Sequence, residues 1–245
     1  MNLNSLAIKD FEEIFHDIVF LKKSDDEIKE FLLELNHQNL PENAFIGAIS
    51  VLKKCMKPIE APLDLIDVCG TGGDGLNTLN VSTAVCFILA GTGLKIAKHG
   101  NKAVSSKSGS ADIFSELGIK IFSEKSEIEQ SLNNKNLTFL FAPFFHESLK
   151  NLLQIRRSLG VPTIFNFLGP LLNPANTNIQ LIGVSKKSVM PKMLNAINHQ
   201  NPNAKIYMVH GFDGMDEISI SNNSLEYLQP IVNWCNDCNI STKLY

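Results

Sequence analysis

The chain has 245 residues, 44% of them hydrophobic, and is therefore long enough to bury one large core or two smaller ones. Its formal net charge of −3 gives no electrostatic footprint of general nucleic-acid binding. No apolar run has the length that crossing a bilayer requires, and the acidic, polar N-terminus differs from a signal peptide. We therefore expect a cytoplasmic protein with neither a membrane nor a nucleic-acid partner.

The N-terminal part of the chain predicts three helices. Apolar residues within 11–19 recur at i, i+3, i+4, i+7 and i+8, which is typical of an amphipathic helix. Ser24 and Glu27 have the spacing of a capping box that opens a second helix, and Pro41 begins a third. Two prolines then indicate a linker, so residues 1–62 are expected to form a small helical domain.

From residue 63 onward, apolar strand patterns alternate with helix patterns, which favours a largely parallel sheet with helices on both faces. The predicted strands are 63–69, 94–98, 119–122, 137–142, 179–184 and 204–210. The predicted helices are 80–91, 109–117, 126–133, 146–159 and 188–198. The segment 161–178 contains three prolines and is expected to leave the sheet layer. The predicted fold class is α/β: a small all-helical domain, 1–62 joined by about 161–178, and a larger α/β domain, 63–245.

The most informative segment is 67–80, where a buried strand runs into four glycines within six residues, namely Gly70, Gly72, Gly73 and Gly75. A helix pattern follows from about Asn80. This order aims backbone N–H groups and the positive end of a helix dipole at one point, which predicts an anion site. Asp74 would repel an unshielded pyrophosphate there, but a bound Mg²⁺ ion would make its carboxylate useful.

Two other interpretations of this glycine loop are open. The spacing of Gly70, Gly72 and Gly75 also matches the dinucleotide fingerprint, which has an acidic residue about 20 positions further on. Residues 93–99 are basic instead, which disfavours a dinucleotide. A glycine turn without chemical function is the other alternative.

A second donor-rich loop follows the second predicted strand. Residues 98–112 supply three lysines, two glycines and several serines, and they lead into the next predicted helix. Because this loop follows a strand at the same edge as the first, it predicts a second anion-binding loop. A solvated surface loop is the alternative.

These segments occur together with further motifs: FAPFFH at 141–146, QIRRSLG at 154–160, NFLGPLLNP at 166–174 and GMDEIS at 214–219. Together with GTGGDG at 70–75, NVST at 80–83 and the segment 98–112, they cover most of residues 10–220. In this order they resemble the anthranilate phosphoribosyltransferase family, which has the nucleoside-phosphorylase-like transferase fold. The resemblance implies transfer of the phosphoribosyl group of phosphoribosyl pyrophosphate (PRPP) to the amine of anthranilate, with release of pyrophosphate, in tryptophan biosynthesis.

The resemblance also implies site residues, a homodimer formed through the helical domain, and Mg²⁺ as cofactor. The implied PRPP contacts are Gly70, Gly73, Asp74, Thr78, Asn80, Val81, Ser82, Thr83, Lys98, His99, Gly100, Asn101, Lys102, Ala103, Val104, Ser105 and Ser106. The implied anthranilate contacts are Gly70, Asn101, Ser110 and Arg156, whose guanidinium suits a carboxylate. The implied metal ligands are Ser82, Asp216 and Glu217. His146 is the candidate for catalysis, with a structural role at a helix start as the alternative.

The chain departs from the family in length, because family members continue well beyond the point where this sequence stops matching. A truncated remnant that is inactive, or that binds only PRPP, is therefore an alternative function. A pyrimidine-nucleoside phosphorylase of the same fold is a second alternative, which the acidic pair Asp216 and Glu217 disfavours. Without the resemblance, such an adjacent pair is more often a solvated surface feature.

Overall fold

The computed structural model describes residues 2–60, 64–76, 78–103 and 108–229, the last four by backbone alone. Its first helices are α1 (Ile8–Val19), α2 (Asp25–His37) and α3 (Glu42–Cys55), which confirms the three predicted helices. The capping box of α2 is present: the backbone N–H of Ser24 donates to the Glu27 carboxylate at 2.9 Å, and the Ser24 hydroxyl accepts from Glu27 N. Polar groups at this helix start are thus satisfied locally.

The rest of the chain alternates strands with helices. Its strands are β1 (Ile66–Gly70), β2 (Ile96–Gly100), β3 (Leu137–Phe141), β4 (Ile179–Gly183), β5 (Lys205–Gly211) and β6 (Ser224–Gln229). Its helices are α4 (Val81–Gly91), α5 (Ser110–Glu116), α6 (Lys125–Lys135), α7 (Ala142–Phe145), α8 (Leu153–Leu159), α9 (Phe165–Leu168) and α10 (Met190–Gln200). The strand order is β3-β2-β1-β4-β5-β6, with β6 antiparallel to β5 and the other pairs parallel. The predicted α/β class is confirmed.

Two predicted elements are wrong. Residues 119–122 form no strand; Ile119 and Ile121 instead pack beside the buried rings of Phe114 and Phe139. The predicted helix 146–159 is interrupted by a 3-10 segment at Glu147–Leu152, between α7 and α8. Its backbone leaves the helical region at His146, where φ is −119° and ψ is 59°. His146 and Arg156 therefore do not share one helix.

Helices cover both faces of the sheet. On one face, Val68 of β1 and Ile96 of β2 pack against Cys86 and Ala90 of α4. On the other face, Ala97 of β2 packs in a cluster with Leu140 of β3 and with Ile128 and Leu132 of α6. Because side chains alternate along a strand, adjacent residues of β2 point to opposite faces. No helix within the described ranges is long and apolar enough to span a membrane.

The segment 161–178 leaves the sheet, as its prolines predict, and packs against the N-terminal helices. Phe165 meets Phe15 of α1 edge-on, with ring centroids 6.1 Å apart. The side-chain amide of Asn36 in α2 donates to the Pro162 carbonyl at 2.7 Å. One apolar cluster includes Phe15 and Phe165 and continues to buried residues of α10, β4 and β5. The division into two domains stays a prediction, since this cluster reaches from α1 into the sheet.

Four strands end at a glycine on the same edge of the sheet: Gly70, Gly100, Gly183 and Gly211. The loops that follow them, including both predicted anion-binding loops, therefore lie along one edge. In open α/β sheets, ligands bind at the carboxyl ends of the strands. Both predicted anion-binding loops thus lie where folds of this class bind their ligands.

Candidate active site

The glycine loop after β1 is fixed to the neighbouring strand β4. Thr71 N donates to the Gly183 carbonyl at 2.9 Å, and Ser185 N donates to the Thr71 hydroxyl at 3.0 Å. Gly72 and Gly73 then adopt positive φ values of 65° and 77°, which side chains other than glycine rarely adopt. An added Cβ at either residue would meet no atom within 4 Å, so the loop presents open backbone toward the edge of the sheet.

The acidic pair Asp216 and Glu217, called here the acidic dyad, binds the backbone N–H groups of this loop region. Gly72 N donates to Asp216 Oδ2 at 2.7 Å, and Ser82 N, in the first turn of α4, donates to Glu217 Oε1 at 3.1 Å. Hydrogen bonds of this kind, from backbone N–H to a carboxylate, are charge-assisted and strong. The structure therefore brings together the glycine loop, the start of α4 and the dyad, as the resemblance implies.

Close contacts at two strand ends hold the dyad in place. A Cβ added at Gly70 would lie 2.5 Å from Asp216 Oδ2, and one added at Gly183 would lie 1.6 Å from the Asp216 backbone oxygen. Gly70 and Gly183 are paired across β1 and β4. Only glycine at both positions leaves room for Asp216 against the sheet edge, which explains why these strands end as they do.

Negative charge is concentrated around the dyad. Burial and the nearby charge of Asp74 raise the pKa of Asp216, and burial together with the charge of Asp216 raises the pKa of Glu217 to about 7. Asp74 Oδ2 is buried and accepts no hydrogen bond from the described residues. Carboxylates crowded together destabilise one another, so the arrangement favours a bound cation.

The donor set around the dyad fits Mg²⁺, a hard cation that prefers carboxylate, hydroxyl and phosphate oxygens. Among the described residues, no three or more His, Cys, Asp or Glu side chains already form a metal-binding group. Mg²⁺ is usually held by one or two carboxylates and completes its shell with water and substrate phosphates, so no complete protein cage is needed. Asp216, Glu217 and the hydroxyl of Ser82 supply such a partial set.

Lys98 lies beneath the site rather than at its surface. It is 1% exposed; its ammonium group donates to the Val68 carbonyl at 2.6 Å and to the Ser82 hydroxyl at 3.4 Å. Thr83 is likewise buried under the start of α4, at 2% exposure. Both residues were predicted as PRPP contacts, and their positions favour support of Ser82. By contrast, Thr78 and Val81 are exposed.

The second loop is anchored by Asp112, for which the sequence analysis predicted no role, and by Asn80. Asp112 of α5 accepts from Gly109 N at 2.8 Å and from Ala103 N at 3.1 Å. The Asn80 amide donates to the Ser108 hydroxyl at 2.9 Å, which joins this loop to the start of α4. The signal for Asp112 was its place three residues after Gly109, as in a capping box.

The other predicted residues of this loop are placed only in part. Asn101 Oδ1 accepts from Lys102 N at 2.8 Å, and an added Cβ at Gly100 would lie 2.8 Å from the Ser110 hydroxyl oxygen. These contacts bring Asn101, Gly100 and Ser110 together at the end of β2. Val104, Ser105 and Ser106 lie outside the described residues.

A buried histidine pair lies at the end of β2. His99 Nε2 and His146 Nε2 are 3.2 Å apart, and His99 Nδ1 lies 3.1 Å from the Gly169 carbonyl oxygen. Behind them, His99 N donates to Asp67 Oδ1 at 3.1 Å, and the Asn173 amide donates to Asp67 Oδ2 at 2.8 Å. This network, which sequence reasoning missed, joins β1 and β2 to the segment 161–178.

The histidine pair predicts a loss of stability in acid. Burial lowers the pKa of His146 from 6.5 to about 4, and burial together with the proximity of His146 lowers the pKa of His99 to about 3. As the pH falls, these histidines therefore take up protons in the unfolded chain before they do so in the folded chain. Their contribution to the free energy of unfolding is complete above pH 6.5 and is lost as the pH falls toward 4.

Urea unfolding at about pH 7 and about pH 4.5 measures this effect. We expect His146→Gln to lose roughly 2–3 kcal/mol less unfolding free energy over this interval than the parent chain. The exposed His37 supplies the matched control, and His37→Gln should follow the parent. Equal losses in parent and His146→Gln would contradict the buried, neutral state of the ring.

Arg156 has a guanidinium with an unsatisfied nitrogen within the described part of the chain. It lies on α8 with its Cζ 5.4 Å from the centroid of the Phe165 ring, and its Nε is buried without a hydrogen-bond partner among the described residues. Burial lowers its pKa, yet a guanidinium stays charged in proteins. A stacked, charged and partly unsatisfied arginine of this kind suits a planar carboxylate ligand.

Comparison with protein families adds a finding to this geometry. Residues 63–227 match the family model described as "Glycosyl transferase family, a/b domain". The chain belongs to this glycosyl transferase family. The match includes every strand except the last residues of β6, together with the glycine loop, the second loop and the acidic dyad.

Relatives of this chain are anthranilate phosphoribosyltransferases, as the sequence motifs predict. The Bacillus pumilus (strain SAFR-032) protein is 40% identical over 224 residues, which are 91% of this chain and 66% of that protein. The Clostridium kluyveri (strain ATCC 8527) protein is 44% identical over 216 residues, 85% of this chain and 62% of that one. The chain thus spans just under two thirds of the length of these relatives.

Solved structures of anthranilate phosphoribosyltransferases are similar to this chain in fold as well. The Saccharomyces cerevisiae anthranilate phosphoribosyltransferase in complex with PRPP and Mg is 32% identical, with a TM-score of 0.84, and the match covers 91% of this chain and 66% of that one. The Thermus thermophilus enzyme is 28% identical, with a TM-score of 0.81, and the match covers 91% and 69%. The predicted resemblance is confirmed in sequence and in fold.

Proposed function

We propose that this chain transfers the phosphoribosyl group of PRPP to the amine of anthranilate, giving N-(5-phosphoribosyl)anthranilate and pyrophosphate. The observation that carries the proposal is the convergence of backbone donors and acidic residues at one edge of the sheet. Gly72 N and Ser82 N lie against Asp216 and Glu217, so an anion-binding loop and candidate cation ligands share one place. A diphosphate substrate accompanied by Mg²⁺ needs backbone donors for its phosphate oxygens and acidic ligands for its cation.

The relatives support this assignment, because proteins 40% identical over most of this chain are anthranilate phosphoribosyltransferases. One similar structure holds PRPP and Mg, and another holds 4-fluoroanthranilate. We extend the relatives' activity to this chain as a proposal, since it spans 66% of the Bacillus pumilus protein.

Ser82, Asp216 and Glu217 would hold Mg²⁺ in this proposal. When bound, the ion would neutralise charge that develops on the leaving pyrophosphate. The glycine loop adds fixed backbone donors for the same charge, and such donors need no reorganisation during the reaction. Lys98 supports Ser82 from below through its 3.4 Å contact with the Ser82 hydroxyl.

The reaction itself requires positioning more than a strong base. The amine nitrogen of anthranilate forms a bond to the anomeric carbon of the ribose while the bond from that carbon to the pyrophosphate oxygen breaks. The amine then releases a proton to solvent. The transition state resembles an oxocarbenium ion, as in glycoside hydrolysis. Arg156 would hold the carboxylate of the acceptor, which aligns the amine with the anomeric carbon.

We also propose a cytoplasmic homodimer that associates through the N-terminal helices. Two apolar side chains at the end of α1 support this surface: Phe20 is 53% exposed and Leu21 is 44% exposed. Large apolar side chains exposed together often mark an interface. The sedimentation mass of the purified chain, compared with its 27.1 kDa, checks this assembly directly.

Metal dependence tests the proposed function. Calorimetric titration of PRPP should show at least about tenfold weaker binding in EDTA than in Mg²⁺. Without the cation, the carboxylates of Asp216 and Glu217 lose their charge-assisted contacts with the ion that links them to the diphosphate. Equal affinities under both conditions would contradict the metal assignment. Product formation from PRPP and anthranilate, measured on the same preparation, distinguishes a transferase from a chain that only binds PRPP.

A further inference from the structure

The acidic dyad occupies the donors that a phosphate would use. Asp216 Oδ2 is 2.7 Å from Gly72 N, and Glu217 Oε1 is 3.1 Å from Ser82 N. A carboxylate oxygen and a phosphate oxygen accept the same hydrogen bond from a backbone N–H. One set of donors therefore faces two competing acceptors, the chain's own carboxylates and an incoming diphosphate.

We propose that Asp216 and Glu217 make the glycine loop selective for a diphosphate complexed with a divalent cation, by occupying Gly72 N–H and Ser82 N–H when no cation is present. The proposal rests on the proposed function for its assignment of this loop to a diphosphate. It assigns the dyad a second role beside metal binding: exclusion of the free anion.

Charge repulsion makes the exclusion effective. A free diphosphate has to displace two carboxylates from their donors and then remain beside both, with Asp74 close to the same point. Asp74 Oδ2 is buried and accepts no hydrogen bond from the described residues, so no donor there offsets its charge. In an interior of reduced dielectric constant, like charges at contact distance disfavour one another strongly.

A divalent cation removes both obstacles. It offers the carboxylates a new partner, so that Gly72 N–H and Ser82 N–H become available to phosphate oxygens. It also replaces repulsion between the dyad and the diphosphate by attraction to a shared ion. We expect the exchange to occur by rotation of the side chains, because the Asp216 backbone lies close against Gly183, where an added Cβ would be 1.6 Å from its oxygen. The loop is therefore open to the complex and closed to the free anion.

A structural role for the dyad gives a different expectation. If Asp216 and Glu217 only stabilise the loop, their removal weakens binding of every anion, with or without a cation. Selectivity instead predicts that removal improves binding of the free anion. The sign of the change in EDTA therefore separates the two roles.

The experiment is calorimetric titration of inorganic pyrophosphate into the full chain and into the double variant Asp216→Ala/Glu217→Ala. In EDTA, we expect the variant to bind pyrophosphate about ten- to hundredfold more tightly, as loss of a charged competitor for the donors implies. In Mg²⁺, the order should reverse, with the parent chain binding more tightly. Unchanged or weaker binding by the variant in EDTA would overturn the proposal.

Two further variants keep the test decisive. Asp216→Asn/Glu217→Gln retains neutral acceptors of the same shape, and its affinity in EDTA should fall between those of parent and double alanine variant. Asp213→Asn removes one charge from the same loop; among the described residues, Asp213 accepts from Ser219 and Met215 and not from the glycine loop. It should leave pyrophosphate binding in EDTA within about twofold of the parent, and an increase equal to that of the dyad variant would overturn the specific role of the dyad.

Failure of this proposal differs from failure of the proposed function. If the parent chain binds PRPP with Mg²⁺ but the variants gain no affinity for pyrophosphate in EDTA, only the exclusion role is wrong. If the parent chain fails to bind PRPP with Mg²⁺, the proposed function itself is wrong. A thermal melt of each variant confirms that the titrated protein is folded.

Discussion

Replacing Gly183 by alanine is expected to displace the acidic dyad and weaken PRPP binding in Mg²⁺ by roughly a hundredfold. The new Cβ would lie 1.6 Å from the Asp216 backbone oxygen and 2.7 Å from its carbonyl carbon. Neither atom is the end of a flexible side chain, so the loop 212–223 has to move away from β4. Asp216 and Glu217 would then be displaced from the cation that accompanies PRPP, with the loss of two charge-assisted contacts worth at least about 1.5 kcal/mol each.

The same substitution should lower the unfolding free energy by about 1–3 kcal/mol, as is usual for overpacking. Gly91→Ala is the matched control, because Gly91 lies at the exposed end of α4 and an added Cβ would meet nothing within 4 Å. It should leave PRPP affinity unchanged and stabilise the chain slightly, since alanine is the better helix former. Parent-like PRPP affinity in folded Gly183→Ala would contradict this account of the strand end.

Only some parts of this site could be predicted from the sequence. The glycine loop was recognisable because glycines, an apolar strand and a helix start lie within one short segment. The contact between this loop and the dyad was not, because Gly72 and Asp216 are 144 residues apart and spacing carries no information over that distance. The resemblance placed both groups in one site, but it did not show that they bind each other.

The alternation of side chains along β2 explains why Lys98 lies beneath the site rather than at its surface. Lys98 was predicted as a PRPP contact because the family resemblance implies it. Side chains of a strand alternate, so Lys98 shares a face with Ile96, and that face packs against α4. His99 belongs to the opposite face, where it meets His146.

The wrong strand at 119–122 has a physical reason. Alternating apolar residues fit a strand, but they fit equally well an extended segment that packs over a core without a ladder partner. Ile119 and Ile121 do the latter beside Phe114 and Phe139. Backbone pairing is decided by neighbouring strands, which a single segment of sequence does not specify.

Arg156→Ala should raise the dissociation constant for anthranilate about ten- to hundredfold while leaving PRPP affinity nearly unchanged. The guanidinium is proposed to meet only the carboxylate of the acceptor, and loss of one charge-assisted interaction costs about 1.5–3 kcal/mol. Arg156→Lys should recover only part of the affinity, because an ammonium lacks the planar fork that binds a carboxylate through two donors. Exposed Arg157 supplies the control, and Arg157→Ala should bind both ligands as the parent does.

The unfolding free energy of Arg156→Ala distinguishes a role of this residue in ligand recognition from a role in the core. Arg156 stacks on Phe165 and forms no ion pair with any residue in the described ranges, and its Nε lacks a partner. Removing it costs a stacking contact of about 0.5–1 kcal/mol, but it also removes an unsatisfied buried donor, so the two effects largely offset each other. We therefore expect an unfolding free energy close to that of the parent. A variant that unfolds readily and loses PRPP together with anthranilate would instead identify Arg156 as part of the core. A charged, half-buried arginine whose Nε has no partner among the described residues gains further stabilisation when a ligand supplies an anion.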